Sequence, residues 1–238
     1  MQANRGGFLY VLDAKEGKLI AANAFGKLNW ATGVDLETGR PNWTQVYHDA
    51  LAGKNVTVWP SVSGVTNWQH MSFSPQTGLL YINTLHVGMT YEAPIPQAPY
   101  TPGKPSGPGT VKRTFVLDDP NVRGFLKAVD PLTGKSKWEV PYKSPNYSST
   151  LATAGNLVFT GVMTGEFQAL DAETGKVLWS FQTPSGIVGQ PVTWERDGKQ
   201  YVTVPSGIGG VYALRSGDPN LANVPAGASL WTFGLFDK

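Results

Sequence analysis

Two short stretches of this 238-residue chain place groups with chemical use side by side. Asn4-Arg5-Gly6-Gly7 sets a guanidinium just ahead of the apolar run Phe8-Leu9-Tyr10-Val11-Leu12. The arginine fork is planar, fixed in shape and always protonated, so Arg5 suits an anionic or carbonyl-bearing partner. Asn67-Trp68 follows the turn-rich Ser61-Val62-Ser63-Gly64-Val65-Thr66 at a strand entry. A side-chain amide beside a large aromatic can bond and pack a flat heteroaromatic ligand. Spacing alone leaves surface and structural roles open for both stretches. The other chemically versatile residues carry less. His48, His70 and His86 show neither an i, i+4 pair nor an H-x-H, and read as structural or surface residues. Gly207-Ile208-Gly209-Gly210 has a glycine-rich look, but no helical pattern follows it, so the dinucleotide-loop reading fails on context.

The elements that must position these residues announce themselves as a repeat. Ala169-Leu170-Asp171-Ala172-Glu173-Thr174-Gly175-Lys176-Val177-Leu178-Trp179 has an earlier copy in Ala128-Val129-Asp130-Pro131-Leu132-Thr133-Gly134-Lys135-Ser136-Lys137-Trp138, 41 residues before it. Asp35-Leu36-Glu37-Thr38-Gly39-Arg40-Pro41-Asn42-Trp43 keeps the same spacing, and Asp13-Ala14-Lys15-Glu16-Gly17 keeps its first half. An apolar pair closes one strand, and Asp opens a tight turn by bonding backbone two residues on. Thr-Gly then supplies the positive φ the turn needs. Lys-x-x-Trp begins the next strand, with the indole offered to a neighbouring sheet. One copy is an ordinary hairpin. Three copies with Trp in register, at a period of about 40 residues, read as the four-stranded blades of a β-propeller, roughly five to six at most. Asp35, Asp130 and Asp171 are accordingly turn residues and not catalytic acids.

The remaining strands fit this all-β reading. Hairpins are expected at 8–13 with 18–25 and at 191–195 with 200–205, a fully buried strand at 79–85, and strands at 150–153, 157–160, 166–170 and 177–182. Further strand is expected up to Tyr47, at 211–214 and at 230–235, and no stretch shows a helical period. Residues 88–122 break the rhythm with dense Pro and Gly, which forbids a central strand and favours extended loop. The repeat resumes in phase at Gly124, so a long excursion over one propeller face is expected, with an interdomain linker as the alternative. Residues 1–238 thus read as one propeller domain.

Composition narrows the function. The net charge is +2 and charged residues make up 15%, without a basic run interleaved with aromatics, which argues against nucleic-acid binding. No 18-residue apolar run suggests a membrane span. The chain has no cysteine, which excludes disulfides, thiolate catalysis, cysteine zinc sites and covalent c-type haem attachment within it. Its first seven residues lack the apolar core of a signal peptide, and the abrupt entry into a strand reads as a piece of something longer.

Several segments together resemble the quinoprotein alcohol dehydrogenases of the methanol/ethanol dehydrogenase type. They are Asn4-Arg5-Gly6-Gly7-Phe8-Leu9-Tyr10-Val11-Leu12-Asp13, Gly33-Val34-Asp35-Leu36-Glu37-Thr38-Gly39-Arg40-Pro41, Gly64-Val65-Thr66-Asn67-Trp68 and Met71-Ser72-Phe73-Ser74-Pro75. Leu151-Ala152-Thr153-Ala154-Gly155-Asn156-Leu157-Val158-Phe159, Gly189-Gln190-Pro191-Val192-Thr193-Trp194-Glu195 and Asp197-Gly198-Lys199-Gln200-Tyr201-Val202 with Gly207-Ile208-Gly209-Gly210 continue the match in order. The Trp-ended repeat is similar to that family's tryptophan-docking motif.

The resemblance implies an eight-bladed propeller with pyrroloquinoline quinone (PQQ) and a Ca²⁺ or lanthanide ion at its axis, of which this chain makes half or slightly more. It implies that Arg5 contacts the quinone near its reactive carbonyl, and that Asn67 with Trp68 forms a second cofactor-contacting site. A third segment, Trp-Gly-Gly-like in the family, reads Asn146-Tyr147-Ser148-Ser149 here and brings Tyr147 forward as a contact. The family's metal ligands, catalytic aspartate, vicinal disulfide and stacking tryptophan all precede the segment matching Asn4-Arg5, so the chain corresponds to the C-terminal part, with neither a catalytic acid nor a metal ligand of its own. Strand 229–236 resembles the family's closing strand, whose blade partners come from the N-terminal region, so it is expected to leave an exposed edge liable to self-association. The implied reaction is oxidation of a primary alcohol to an aldehyde. An aspartate takes the hydroxyl proton, hydride passes to the quinone, and Arg5 stabilises the developing charge. A cytochrome c-type electron acceptor and a periplasmic location are implied as well. A non-enzymatic propeller scaffold of the outer-membrane-assembly type, which shares such repeats, is the reading from another class. The Pro-rich excursion, Arg5 and Asn67-Trp68 favour the enzyme lineage.

Overall fold

The computed structural model describes residues 1–92, 102–103, 112–209 and 217–235. Strands β1 (Gln2–Ala3), β2 (Phe8–Leu12) and β3 (Leu19–Ala24) form a first antiparallel sheet. A separate hairpin follows, β4 (Ala31–Val34) with β5 (Pro41–Trp43), then helix α1 (Gln45–Leu51) and β6 (Val56–Val58). The second sheet opens with β7 (Ser72–Ser74) and β8 (Leu79–Leu85), and the chain then leaves it for β9 (Gly88–Tyr91) and β10 (Arg113–Val116). It returns as β11 (Gly124–Val129) and β12 (Ser136–Tyr142), giving the order β12-β11-β8-β7. A third sheet runs in simple meander order through β13 (Thr150–Ala152), β14 (Leu157–Gly161), β15 (Glu166–Asp171) and β16 (Val177–Gln182). The fourth holds β17 (Val192–Arg196), β18 (Lys199–Ser206) and β19 (Ser229–Gly234), and β10-β9-β6 make a small side sheet.

The repeat builds the turns it promises. In all four copies the Asp Oδ1 accepts backbone N–H groups two and three residues on: Lys15 and Glu16, Glu37 and Thr38, Leu132 and Thr133, Glu173 and Thr174. Gly39, Gly134 and Gly175 sit at φ of +69°, +71° and +73°, where a side chain would be strained. Hydrogen bonding favours the charged form of three of these carboxylates, Asp13, Asp35 and Asp171. The Glu16 N–H holds Asp13 below the usual range, the Thr38 N–H does so for Asp35, and the Thr174 hydroxyl for Asp171.

Apolar alternation then stacks the sheets. Every residue of β8 is buried, because its two faces meet two different neighbours. Leu80 and Ile82 pack with Leu9, Phe25 and Val65 of the first-sheet side. Leu79 and Tyr81 pack with Val158, Leu170 and Ala172 of the third sheet. Phe167 and Ile187 continue the stack against Val202 and Val204 of the fourth. Trp138 in β12 donates from Nε1 to Ala172 O at 3.0 Å, and its ring covers Gly175 so closely that a Cβ there would lie 2.6 Å from it. Trp179 meets Phe233 of β19 edge-on at 5.0 Å. The indoles of these two copies are blade-to-blade contacts. The molecule is an all-β partial propeller whose sheets do not close into a ring.

Four expectations change. Trp43, in the third copy, is half exposed and stacks on Tyr47 of α1 at 5.0 Å and 8°, where β4 and β5 form a two-stranded hairpin outside the four stacked sheets. The segment up to Tyr47 is not strand but part of α1, a seven-residue helix with no buried residue, hence no apolar face from which a period could be read. Strand β19 does have a blade partner, pairing with β18 from Tyr201↔Gly234 to Ser206↔Ser229, and among the described residues its other side is an edge of the fourth sheet. The excursion departs from β8 and returns at β11, and these two strands are hydrogen-bonded neighbours. Its described ends are strand and not loop: β9 is the central strand of β10-β9-β6, because the Pro-dense stretch begins only after Tyr91. Much of its Pro-rich part, and the strand expected at 211–214, lie outside the described residues.

Candidate functional site

Arg5 occupies a tight turn ahead of β2. Asn4 Oδ1 accepts the Phe8 N–H at 3.2 Å, and Gly7 N–H donates to Asn4 O at 3.2 Å. The Trp30 ring lies over Gly6 and donates to Gly6 O at 2.9 Å, so the turn is clamped from both sides. Arg5 itself is exposed, and its Nη2 donates to Val62 O. That bond belongs to a larger contact with the loop 61–69. Val65 N–H donates to Arg5 O at 3.0 Å, and a Cβ on Gly64 would lie 2.8 Å from Arg5 O. Gly64 also sits at φ +83°, so glycine is what allows the loop to lie against the arginine turn.

The far end of the same loop carries Asn67 and Trp68. Asn67 Nδ2 donates to Ser63 O at 3.0 Å, which closes the loop on itself and keeps the amide oxygen's acceptor capacity. Trp68 is 55% exposed, a large aromatic surface open to solvent, and its ring meets that of Tyr147 at 4.7 Å. Tyr147 is 1% exposed. Expected as a cofactor contact, it lies behind Trp68 in a 146–149 segment tied into the interior by hydrogen bonds. Asn83 Nδ2 donates to Ser148 O and to Thr160 Oγ1, both at 2.7 Å, while its Oδ1 accepts from Asn146 Nδ2 at 3.0 Å. Ser148 Oγ reaches Gly189 O, and Ser149 Oγ accepts the His70 N–H. Ser148 and Ser149 are thus structural ties.

Arg5, Asn67, Trp68 and Tyr147 therefore converge on one loop, although 142 positions separate the first from the last (147 − 5). Gln69, Asn83 and Asn146 belong to the same constellation and carried no local signal. The one clue available was a polar amide, Asn83, inside the otherwise apolar Leu-Leu-Tyr-Ile-Asn-Thr-Leu strand, since such a group must find partners when buried.

The remaining candidates are structural. Gly207 and Ile208 donate their N–H groups to Gly186 O and Ser185 Oγ, which removes them as a phosphate cradle. His48 lies on α1 and the side chain of His70 is exposed. His86 packs on Trp59 and Phe125 and meets Asp118 at 3.1 Å, with Lys27 also paired to Asp118 and 4.0 Å from the Trp59 ring. Burial holds the His86 imidazole below its ordinary pKa, against the opposing pull of Asp118. Among the described residues no cluster of three or more His, Cys, Asp or Glu could hold a metal, and no helix is long and apolar enough to cross a membrane.

A planar quinone bearing carboxylates fits this donor set: an exposed guanidinium for negative oxygen, an amide for a carbonyl edge, and an open indole for the ring. A divalent or trivalent cation has no matching set of acidic ligands among the described residues.

Comparison with known proteins gives the fold and site their class. Residues 121–202 match the PQQ family, described as the glucose/ethanol/alcohol dehydrogenase β-propeller domain. The chain is 43% identical to the quinoprotein ethanol dehydrogenase of Pseudomonas aeruginosa over 98% of its own length and 38% of the relative's. It is 40% identical to the lanthanide-dependent methanol dehydrogenase of Methylorubrum extorquens, over 87% of its length and 36% of the relative's. Among solved structures, a quinohemoprotein alcohol dehydrogenase of Pseudomonas putida superposes with a TM-score of 0.84 at 35% identity, covering 98% of this chain and 35% of the other. A europium-containing methanol dehydrogenase gives 0.83 at 34% identity, over 97% and 44%. By sequence and fold alike, the chain is a relative of the quinoprotein alcohol dehydrogenases, and it spans well under half the length of the relatives it matches.

Proposed function

We propose that this chain supplies one wall of a PQQ site in a periplasmic alcohol dehydrogenase that oxidises primary alcohols to aldehydes. The observation that carries the reading is the convergence of Arg5, Asn67 and the exposed Trp68 on the loop 61–69. Bound PQQ supplies the two-electron acceptor for such a reaction. The chain's own residues bind and orient it. Arg5 offers fixed positive charge to anionic oxygen, Asn67 offers an amide, and Trp68 packs the ring with Tyr147 as its rigid backing. The Ca²⁺ or lanthanide ligands and the proton-accepting aspartate come from outside the matched third of the relatives' length. A cytochrome c-type protein is the electron acceptor. The relatives named above are dehydrogenases, which favours this reading over a non-enzymatic propeller scaffold. Residues 1–238 act within one propeller domain. Among the described residues β17 and β19 are the outer strands of the fourth sheet, and such edges favour self-association of the isolated chain.

A dye-linked assay of the chain with added PQQ and either Ca²⁺ or a lanthanide tests the division of labour. No alcohol-dependent dye reduction is expected, and robust turnover would show that the chain carries a complete active site and overturn the proposal.

A further inference from the structure

The two halves of the candidate site, the Asn67-Trp68 corner and the Tyr147 segment, are 77 residues apart at the bond that joins them most directly. That bond is made by Gln69, a side chain only 7% exposed. Its Oε1 accepts the Asn67 backbone N–H at 2.6 Å and lies 3.5 Å from the Thr66 hydroxyl. Its Nε2 donates in the opposite direction, to Asn146 O at 3.1 Å. Asn146 is in turn held by Asn83, which also grips Ser148 and Thr160. A continuous line of side-chain amides therefore runs from the exposed loop into the second and third sheets.

We propose that Gln69 is the positioning residue of the site: it fixes the Asn67-Trp68 corner against Tyr147 in the arrangement that receives the quinone. The inference rests on the quinone reading above and adds a residue and a role to it. Chemistry singles out glutamine, because one group must accept from Asn67 and donate to Asn146 at once. Methionine has similar bulk and does neither. An ionised glutamate accepts from Asn67 but sets its second oxygen against the Asn146 carbonyl. A protonated glutamate regains a donor. The loop does not collapse without Gln69, because His70 N–H still reaches Ser149 Oγ at 2.9 Å and Val65 N–H still reaches Arg5 O at 3.0 Å. Loss of Gln69 thus loosens the geometry of the corner while the fold stands.

The test uses the full chain, labelled with ¹⁵N and titrated with PQQ, following the Trp68 indole N–H and the Asn67 amide, whose shifts report even weak binding. Gln69→Met is expected to move the Asn67 amide resonance in the free protein and to weaken PQQ binding on the order of tenfold, the loss of about two neutral hydrogen bonds. Gln69→Glu is expected to be weakened at neutral pH and to recover toward the unaltered chain's affinity, compared at each pH, as the pH falls through the introduced carboxyl's pKa. A merely structural loss of packing produces no such pH-dependent recovery. Unchanged affinity in Gln69→Met, or a flat pH profile in Gln69→Glu relative to the unaltered chain, overturns the positioning role alone. Absence of any PQQ-induced shift at Trp68 in the unaltered chain overturns the quinone reading and the role together.

Discussion

The turns of the repeat and the loop 61–69 are built from opposite materials. At the repeat, an Asp carboxylate bonds N–H groups two and three residues away, a glycine takes a positive φ, and an indole covers the next blade's turn. Everything that shapes the turn lies within a few residues. The docking indole adds apolar area with a hydrogen bond from Trp138 to Ala172 O, beside others between the same sheets such as Tyr81 Oη to Ala172 O and Tyr142 Oη to Gln168 Oε1. At the loop, the ties to other segments are polar and distant, exposed at Arg5 and buried at Gln69, joining residues 57 to 79 positions apart. The difference teaches where stability and recognition reside. The repeat holds the sheets together whatever ligand is present, while the amide network holds a surface in one shape.

Deleting an indole breaks the comparison at its strongest point. Trp138→Ala removes the ring that covers Gly175 and the bond to Ala172 O, and should cost roughly 3 kcal/mol in denaturant unfolding. Trp43→Ala, in a repeat copy of the same spacing, removes a ring that is 46% exposed and touches Tyr47, and should cost about 1 kcal/mol or less. Equal losses would mean that the motif stabilises by its local turn and not by docking.

Acidification separates the regions more gently. Asp13, Asp35 and Asp171 have lowered folded-state pKa values, so their contribution is full above the ordinary carboxylate value of 3.8 and is lost as pH falls through the lowered folded values. His86 is also lowered, from 6.5, by burial. The unfolded chain therefore takes up that proton first, and stability begins to fall as pH drops below 6.5. Thermal unfolding across this range should decline in two steps, and His86→Gln should remove the upper one. A profile with no step near 6.5 would contradict the partial burial of His86 between Trp59 and Phe125.

The same contrast explains what the sequence could reveal. The turns at Asp130 and Asp171, the buried strand β8 and the hairpins β2-β3 and β17-β18 were legible because short-range spacing encodes them. Helix α1 was not, since seven residues without a buried face carry no period. Arg5, Asn67 and Trp68 were visible as residue types in suggestive company. Their convergence was not, because it depends on Gly64 admitting the arginine turn and on Gln69 and Asn83 bridging segments far apart in the chain. Tyr147 came forward only through the resemblance, and its burial behind Trp68 depends on hydrogen bonds of its neighbours that no local pattern encodes.

The most direct test of the central claim is a site-resolved PQQ titration of the ¹⁵N-labelled chain, repeated with Arg5→Ala. The account predicts shifts of the Trp68 indole N–H and the Asn67 amide with the Trp138 indole unmoved, and a weakening of about tenfold or more when the Arg5 charge is removed. Shifts centred on Trp138 or Trp43, or an affinity indifferent to Arg5→Ala, would contradict it.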